Sequence, residues 1–213
     1  MEVYGEKPKR FTAKWFEYVW EYYKMHIIIT LLVIVAVVYT WIAIASATKY
    51  DFYLCIAGDK LITDENKENL KEALRGKIND INGDGEINIE ILDYSTPSKI
   101  KDVEFEKAMN TKLELELQAG DSFLYMVSKN VADSLVANPA ANDFFENPKN
   151  LSGKESDNRY FAKAEDSAVL KDSGIPYNDL YVGVREFTYY EGDEKDVLNR
   201  NNAIEVAKYI LGN

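Results

Sequence analysis

The chain has 213 residues, a net charge of −11, one histidine and one cysteine. This length allows one ordinary domain and a further short segment. The acidic charge argues against nucleic acid as a partner, because an acidic surface repels phosphate groups. The single cysteine, Cys55, rules out an intramolecular disulfide, so a folded domain must be held together by its own apolar core.

The first predicted element is a transmembrane helix at residues 27–48, IIITLLVIVAVVYTWIAIASAT, which contain no charged residue. At about 1.5 Å per residue they would cross the roughly 30 Å hydrocarbon layer. A cleaved signal peptide is the alternative, because Ala43, Ala45 and Ala47 form small-residue cleavage patterns. The long segment before the apolar core, and the length of the core itself, favour an uncleaved anchor.

Residues 1–26 are predicted to form a cytoplasmic juxtamembrane segment. Five basic residues precede the span, whereas Lys49 alone follows it closely, and basic residues stay on the cytoplasmic side. Residues 11–25, FTAKWFEYVWEYYKM, are rich in aromatic side chains, which favour the headgroup layer and predict an interfacial helix leading into the span. The expected localisation is the cell membrane, with one pass and with residues 49–213 outside.

The charge is unevenly divided between these parts. The first 48 residues contain five basic and four acidic residues, which leaves a net charge of −12 for residues 49–213. A strongly acidic segment of this length is typical of a soluble domain that faces an ion-rich exterior.

Strands and helices alternate after the span. Strands are predicted at residues 50–57, 87–94, 123–127 and 180–187. Helices are predicted at residues 64–79, 103–119, 131–137 and 197–211. Residues 113–117 also alternate between Leu and Glu, so a short strand is the alternative there. The order predicts an α/β domain with a mainly parallel sheet of about four strands and flanking helices.

Two runs resemble a known family: FYLCIAGD at residues 52–59 and TKLELELQAGDSFLYMV at residues 111–127. They are similar to the N-terminal lobe of bacterial extracellular solute-binding proteins, where a helix that ends in a turn of the Ala-Gly-Asp type leads into a buried strand. The stretch EYVWEYYKMH at residues 17–26 resembles uncharacterised anchored proteins of Gram-positive bacteria. The resemblance implies a single lobe like that of a periplasmic binding protein. One lobe alone buries little of a small ligand, which implies weak capture of a solute.

Candidate ligand-binding residues follow from the expected fold, because loops at the carboxyl ends of parallel strands form the usual ligand crevice. These residues are Gly58, Asp59, Tyr94, Ser95, Ser128 and Arg185. Arg185 lies in an otherwise apolar strand, and an internal role paired with a carboxylate, or a solvated one, is the alternative for it.

Residues 80–88, DINGDGEIN, match the start of a calcium-binding loop. The predicted metal-binding residues are Asp80, Asn82, Asp84, Glu86 and Asn88, with Glu86 contributing its main-chain carbonyl. The twelfth position, which should carry a bidentate carboxylate, holds Ile91. A metal-free turn built from Asp, Asn and Gly is the alternative. If Ca²⁺ binds, we expect a structural role that clamps the first helix of the domain to its second strand.

No catalytic residue is predicted. The only histidine, His26, lies at the membrane boundary, which excludes Ser-His-Asp and Cys-His catalysis and histidine-ligated zinc sites from the domain. Gly83-Asp84-Gly85 lacks the Lys and Ser/Thr that complete a phosphate-binding loop. A carboxylate-dependent ectoenzyme is the least favoured reading of the many acidic residues.

The sequence therefore predicts a membrane-anchored extracytoplasmic binding module of solute-binding-protein-like type, and not an enzyme. The expected partners are membrane lipid through the transmembrane helix, a membrane or cell-surface protein, and weakly a small solute. No nucleic acid partner is expected. The alternative is a structural or accessory subunit of a membrane complex, whose helix and aromatic collar pack against other membrane proteins.

Overall fold

The computed structural model describes residues 9–98, 102–119, 121–138, 144–153, 155–176, 180–186 and 194–212. The chain divides into two compact units, Met1–Thr48 and Lys49–Asn213. The first eight residues of the expected juxtamembrane segment lie outside the described residues.

The first unit contains one long helix, α1, which spans Ala13–Ala45 and has no buried residue. At about 1.5 Å per residue, its 33 residues measure about 50 Å. The helix is long and apolar enough to cross a membrane, and its position near the N-terminus is also compatible with a signal sequence. The aromatic and apolar segments form one continuous helix. It ends at Ala45, so the expected span at residues 27–48 extends three residues beyond the helix.

The second unit is built on a five-stranded sheet. The strands are β1 (Phe52–Ala57), β2 (Ile89–Asp93), β3 (Leu124–Ser128), β4 (Ala162–Ala164) and β5 (Leu180–Val184). Their order across the sheet is β2-β1-β3-β5-β4. β1 pairs in parallel with β2 and β3, whereas β5 pairs antiparallel with β3 and β4.

The sheet is thus mixed, which corrects the expectation of a mainly parallel sheet of about four strands. Helical crossovers connect β1 to β2 and β2 to β3, and such crossovers keep strands parallel. β5 lies between β3 and β4 and runs opposite to both, and the helix in the connection from β4 to β5 has only five residues, Ala168–Asp172. The extra strand, β4, has the sequence Ala-Lys-Ala, which is too short and too poor in β-branched residues to be recognised from a pattern.

Six helices accompany the sheet in the described part of the second unit. They are α2 (Asp64–Arg75), α3 (Val103–Ala119), α4 (Lys129–Ala137), α5 (Pro148–Ser152), α6 (Ala168–Asp172) and α7 (Glu194–Leu211). A capping box starts α2: Thr63 Oγ1 accepts the Asn66 N–H and Asn66 Oδ1 accepts the Thr63 N–H, both at 3.2 Å. Gly76 ends this helix earlier than predicted. Residues 113–117 belong to α3, so the predicted helix is confirmed there and the alternative of a short strand is wrong.

The core has two layers because side chains alternate across the strands. One layer joins β1 side chains such as Leu54 and Ile56 to Leu70 of α2 and Val206 of α7. The other contains Cys55, Tyr125 and Tyr181 together with side chains of α3 and α4. We call these layers the α2/α7 face and the α3/α4 face. β1 and β3 are buried on both faces, which explains their near-continuous apolar sequence.

Candidate functional site

The carboxyl edge of β1 and β3 is a topological switch point. From β1 the chain passes through α2, on the α2/α7 face, to β2 on one side of β1. From β2 it passes through α3, on the α3/α4 face, to β3 on the other side of β1. The loop after β1 leads to α2 on one face and the loop after β3 leads to α4 on the other, so the two loops leave the sheet toward opposite faces. In open α/β sheets a divergence of this kind opens a crevice in which ligands bind.

Five of the six expected ligand-binding residues lie at this edge. Gly58 and Asp59 directly follow β1, Tyr94 and Ser95 follow β2, and Ser128 ends β3. The backbone pairing of the first two strands continues past their ends, because the Tyr94 N–H donates to Ile56 O at 2.8 Å and the Thr96 N–H donates to Gly58 O at 2.7 Å. Gly58 is buried under these loops, whereas Asp59 is exposed.

Two serine hydroxyls at this edge are buried without a partner. Ser95 is 7% exposed and Ser128 is 6% exposed. Neither Oγ atom has a hydrogen-bond partner among the described residues. Leaving a buried hydroxyl unpaired costs about 1–3 kcal/mol, so each such group calls for an explanation. Ser95 follows β2 and Ser128 ends β3, so the two serines lie on either side of β1.

A charged and aromatic cluster borders Ser128. The Lys129 Nζ lies 3.5 Å from Asp133 Oδ2 and 3.9 Å from Asp157 Oδ2. The Tyr181 hydroxyl donates to Asp157 Oδ2 at 2.9 Å. Burial, and then the hydrogen bond to Asp157, raise the pKa of Tyr181. The neighbouring Tyr181 hydroxyl and the Asp133 carboxylate raise the pKa of Lys129, which therefore keeps its positive charge.

Arg185 lies away from the other candidates. Because β5 runs antiparallel to β3, the residue that follows β5 emerges at the opposite edge of the sheet. There the Arg185 N–H donates to Phe123 O at 2.8 Å and its guanidinium donates to Leu117 O at 3.0 Å. The guanidinium carbon also lies 4.5 Å from the centre of the Phe144 ring. The structure thus places Arg185 among packing contacts of the α3/α4 face rather than at the carboxyl edge.

The loop at residues 80–88 is ordered by its own acidic and amide side chains. Asp80 Oδ1 accepts the Gly83 N–H at 2.6 Å and Asp80 Oδ2 accepts the Gly85 N–H at 2.8 Å. Asn82 Oδ1 accepts the Asp84 N–H, and Asp84 Oδ1 accepts the Glu86 N–H, both at 2.9 Å. These backbone hydrogen bonds, with that from Gly85 foremost, lower the pKa of Asp80.

A further residue, Asp51, holds this loop against the sheet. It is 1% exposed and accepts three backbone hydrogen bonds: from Ile81 at 3.0 Å, Asn82 at 3.2 Å and Asn88 at 2.9 Å. Sequence reasoning missed it, although a lone acidic residue at the start of an apolar strand is a usable signal. Its carboxylate brings together the two ends of the predicted calcium loop.

The donor set of this loop is limited. Ile91, at the twelfth position, is buried on the α2/α7 face and supplies no oxygen. Across the described ranges, no three or more His, Cys, Asp or Glu side chains are grouped in a way that suits a metal ion. The amide oxygens of Asn82 and Asn88 would have to complete any oxygen shell, so calcium binding stays a prediction.

A cleft of about 340 Å³ lies beside β4. It is lined by Ser152, Glu155, Ser156, Asp157, Lys163, Glu165 and Leu211. Lys163 Nζ pairs with Glu165 Oε1 at 2.8 Å. Asp157 links this cleft to Lys129 at the carboxyl edge. Six of the seven lining residues lie within positions 152–165, and Leu211 of α7 completes the lining.

Comparisons with protein-family models, with characterised proteins and with solved structures found no match to this chain. The resemblance to a lobe of the solute-binding proteins therefore stays a prediction.

Proposed function

We propose that this chain is a membrane-anchored binding module whose ligand binds at the carboxyl edge of β1 and β3. In this proposal α1 spans the membrane, the segment before it is cytoplasmic, and the α/β domain lies outside. The ligand is a small solute or a short extended part of a cell-surface protein. No catalytic step is part of the proposal.

The pair of buried hydroxyls at Ser95 and Ser128 carries the proposal. A protein interior seldom leaves hydroxyl groups unpaired, and a polar ligand at the switch point would satisfy both. Neighbouring strands are about 4.8 Å apart, so the ends of β2 and β3 lie about 10 Å apart on either side of β1. That span suits a small polar molecule or a few residues of a peptide.

The anchoring part of the proposal is supported by the composition of α1. Every described residue from Ile27 to Ala45 is exposed, and the span between them carries no charge. A fully exposed apolar helix requires a lipid environment or a helical partner in the membrane. Basic residues are concentrated before the span, which supports an outward-facing domain.

Calcium is a second part of the proposal. Gly83 and Gly85 have φ values of +73° and +83°, which the sharp turns of calcium loops require. Asp51 holds the ends of the loop together from within the core, so that a bound cation would lock the loop between α2 and β2. The role proposed for Ca²⁺ is structural.

Thermal unfolding of the full chain in detergent micelles tests the binding function. All three tryptophans, at positions 15, 20 and 41, lie in α1, whereas ten of the fifteen tyrosines lie in residues 49–213, so the change in tyrosine circular dichroism follows the unfolding of the domain. Sugars, peptides and amino acids are added one at a time. A solute at about 100 times its dissociation constant adds about 2.7 kcal/mol to the free energy of unfolding.

A matched pair of variants identifies the site. Ser95→Ala/Ser128→Ala removes both buried hydroxyls and is expected to abolish the response to the solute. Thr111→Ala/Ser134→Ala removes two exposed hydroxyls within α3 and α4 and is expected to preserve it. If no solute or peptide shifts the unfolding temperature of the parent chain, the binding function at this edge is wrong.

A further inference from the structure

The first turn of α4, which lies at the carboxyl edge, lacks a side-chain cap. Ser128 is the N-cap residue, with φ −68° and ψ 161°, the extended conformation usual for this position. Its hydroxyl nevertheless accepts no hydrogen bond from the helix, and the first turn contains no acidic residue. The hydroxyl is buried and unpartnered among the described residues. The backbone N–H groups of the first turn thus have no side-chain cap.

The contrast with α2 is informative, because α2 also starts at this edge. Its N-terminus is closed by the capping box of Thr63 and Asn66 and carries Asp64 and Glu65 in the first turn. Those groups satisfy the N–H donors and offset the positive end of the helix dipole. At α4 no side-chain cap satisfies the N–H donors, and no acidic side chain in the first turn offsets the helix dipole.

We propose that the N-terminus of α4 binds the anionic group of a small solute, either a carboxylate or a phosphate. The first-turn N–H groups and the Ser128 hydroxyl donate to the anion, and the helix dipole favours its charge. This inference rests on the proposed function, since it names the chemical class of ligand that the carboxyl edge would take.

The charges around α4 limit what can bind. Lys129 adds a positive charge beside the first turn, and its ammonium group is already paired with Asp133 and Asp157. These carboxylates make the surroundings acidic, so the anion has to be held by the N–H donors and the hydroxyl rather than by a long-range positive field. A small, compact anion fits this requirement, and an extended polyanion does not.

Nuclear magnetic resonance of the full chain, ¹⁵N-labelled in detergent micelles, tests the proposal. Sodium phosphate and sodium acetate are titrated separately, and sodium chloride is added to keep the ionic strength constant. The expected result is a saturable shift of the amide resonances of Lys129, Asn130 and Val131 with at least one anion. The anion that produces it distinguishes a phosphate ligand from a carboxylate ligand.

Three variants test the role of the hydroxyl. Ser128→Ala is expected to weaken binding of the anion about tenfold, which corresponds to about 1.4 kcal/mol for one lost charged hydrogen bond. Ser128→Thr keeps the hydroxyl and is expected to restore binding. Ser122→Ala is the matched control, because the Ser122 hydroxyl is also buried without a partner among the described residues but precedes β3 at the opposite edge.

The outcomes separate this proposal from the binding function itself. No saturable shift with either anion overturns the anion site, and so does equal binding by the parent chain and Ser128→Ala. If neither anion binds but a neutral solute raises the unfolding temperature through Ser95 and Ser128, the binding function is supported and the anion site is wrong. If anions shift the α4 amide resonances but no larger solute raises the unfolding temperature, the anion site is supported and the solute-binding function is wrong.

Discussion

Asn202 and Asn79 fasten the C-terminal helix to the start of the predicted calcium loop. Asn202 Oδ1 accepts hydrogen bonds from the backbone N–H of Asn79 at 3.1 Å and from its side-chain Nδ2 at 2.9 Å. Asn202 Nδ2 donates in return to Asn79 O at 3.2 Å. Asn202 is fully buried in α7, so these bonds satisfy a polar group inside the core.

Replacing Asn202 by Ala is expected to lower the free energy of unfolding by about 2 kcal/mol. The change removes three hydrogen bonds and leaves a hole in the core beside the Asn79 backbone. Denaturant unfolding followed by tyrosine circular dichroism measures the effect. Asn201→Ala, at an exposed position of the same helix, should stay within about 0.5 kcal/mol of the parent chain. Equal stability of the two variants would contradict the role of this pair.

Calcium is expected to raise the unfolding temperature relative to EGTA. At about 100 times the dissociation constant, the added 2.7 kcal/mol corresponds to about 5–10 °C for a domain of this size. Asp80→Asn is expected to lose the response because it removes a charged ligand. Glu86→Gln should keep it, since position 7 of such loops binds through its carbonyl oxygen. Identical unfolding of the parent chain in Ca²⁺ and EGTA would refute calcium binding.

Acid is expected to disorder the loop at residues 80–88 before the core unfolds. The N–H groups of Gly85 and Gly83 lower the pKa of Asp80 in the folded chain below that of an unfolded aspartate. The contribution of these bonds is therefore fully present above the unfolded pKa, near 4, and is lost as the pH falls through the lowered folded value. The amide chemical shifts of Gly83 and Gly85 should stay constant as the pH is lowered to 4 and should change only below that pH. Movement centred above pH 4 would contradict a lowered pKa.

Gly183 in β5 is expected to tolerate no side chain. A Cβ atom there would lie 2.6 Å from Cδ1 and Cε1 of Phe161, whose ring is fully buried. Gly183→Ala should therefore cost about 1–3 kcal/mol in the free energy of unfolding, as overpacked cores do. Gly76→Ala is the control, because its Cβ would meet nothing within 4 Å and its φ is −73°. A stable Gly183→Ala variant would show that Phe161 can move aside.

The sequence was sufficient to predict the elements with strong apolar periodicity, but it was insufficient to predict which distant strands pair and in which direction. The buried strands β1 and β3 and the helices α2 and α3 follow from their apolar patterns. The direction of β5 depends on how distant segments pair, which no local pattern records.

The same distinction applies to the candidate site. Gly58, Asp59, Tyr94, Ser95 and Ser128 lie at the predicted edge because strand ends are readable from sequence, and their role in binding stays a prediction. Asn202 was missed because its partner, Asn79, is 123 positions away. The uncapped N-terminus of α4 was missed for a different reason: a serine before a helix predicts a cap, whereas in the folded chain the Ser128 hydroxyl makes no such bond.

Introduced cysteines are expected to establish the membrane topology. The native Cys55 is fully buried, and burial raises the pKa of its thiol, so it should not react with a membrane-impermeant maleimide. Glu114→Cys, at an exposed position of α3, should be labelled in intact cells, because the basic residues before α1 favour an outward-facing domain. Lys9→Cys should be labelled only after the cells are made permeable. The parent chain, with Cys55 alone, is the control for background labelling. Labelling of Lys9→Cys but not Glu114→Cys in intact cells would reverse the orientation, and release of the labelled domain into the medium would mean that α1 is a cleaved signal sequence.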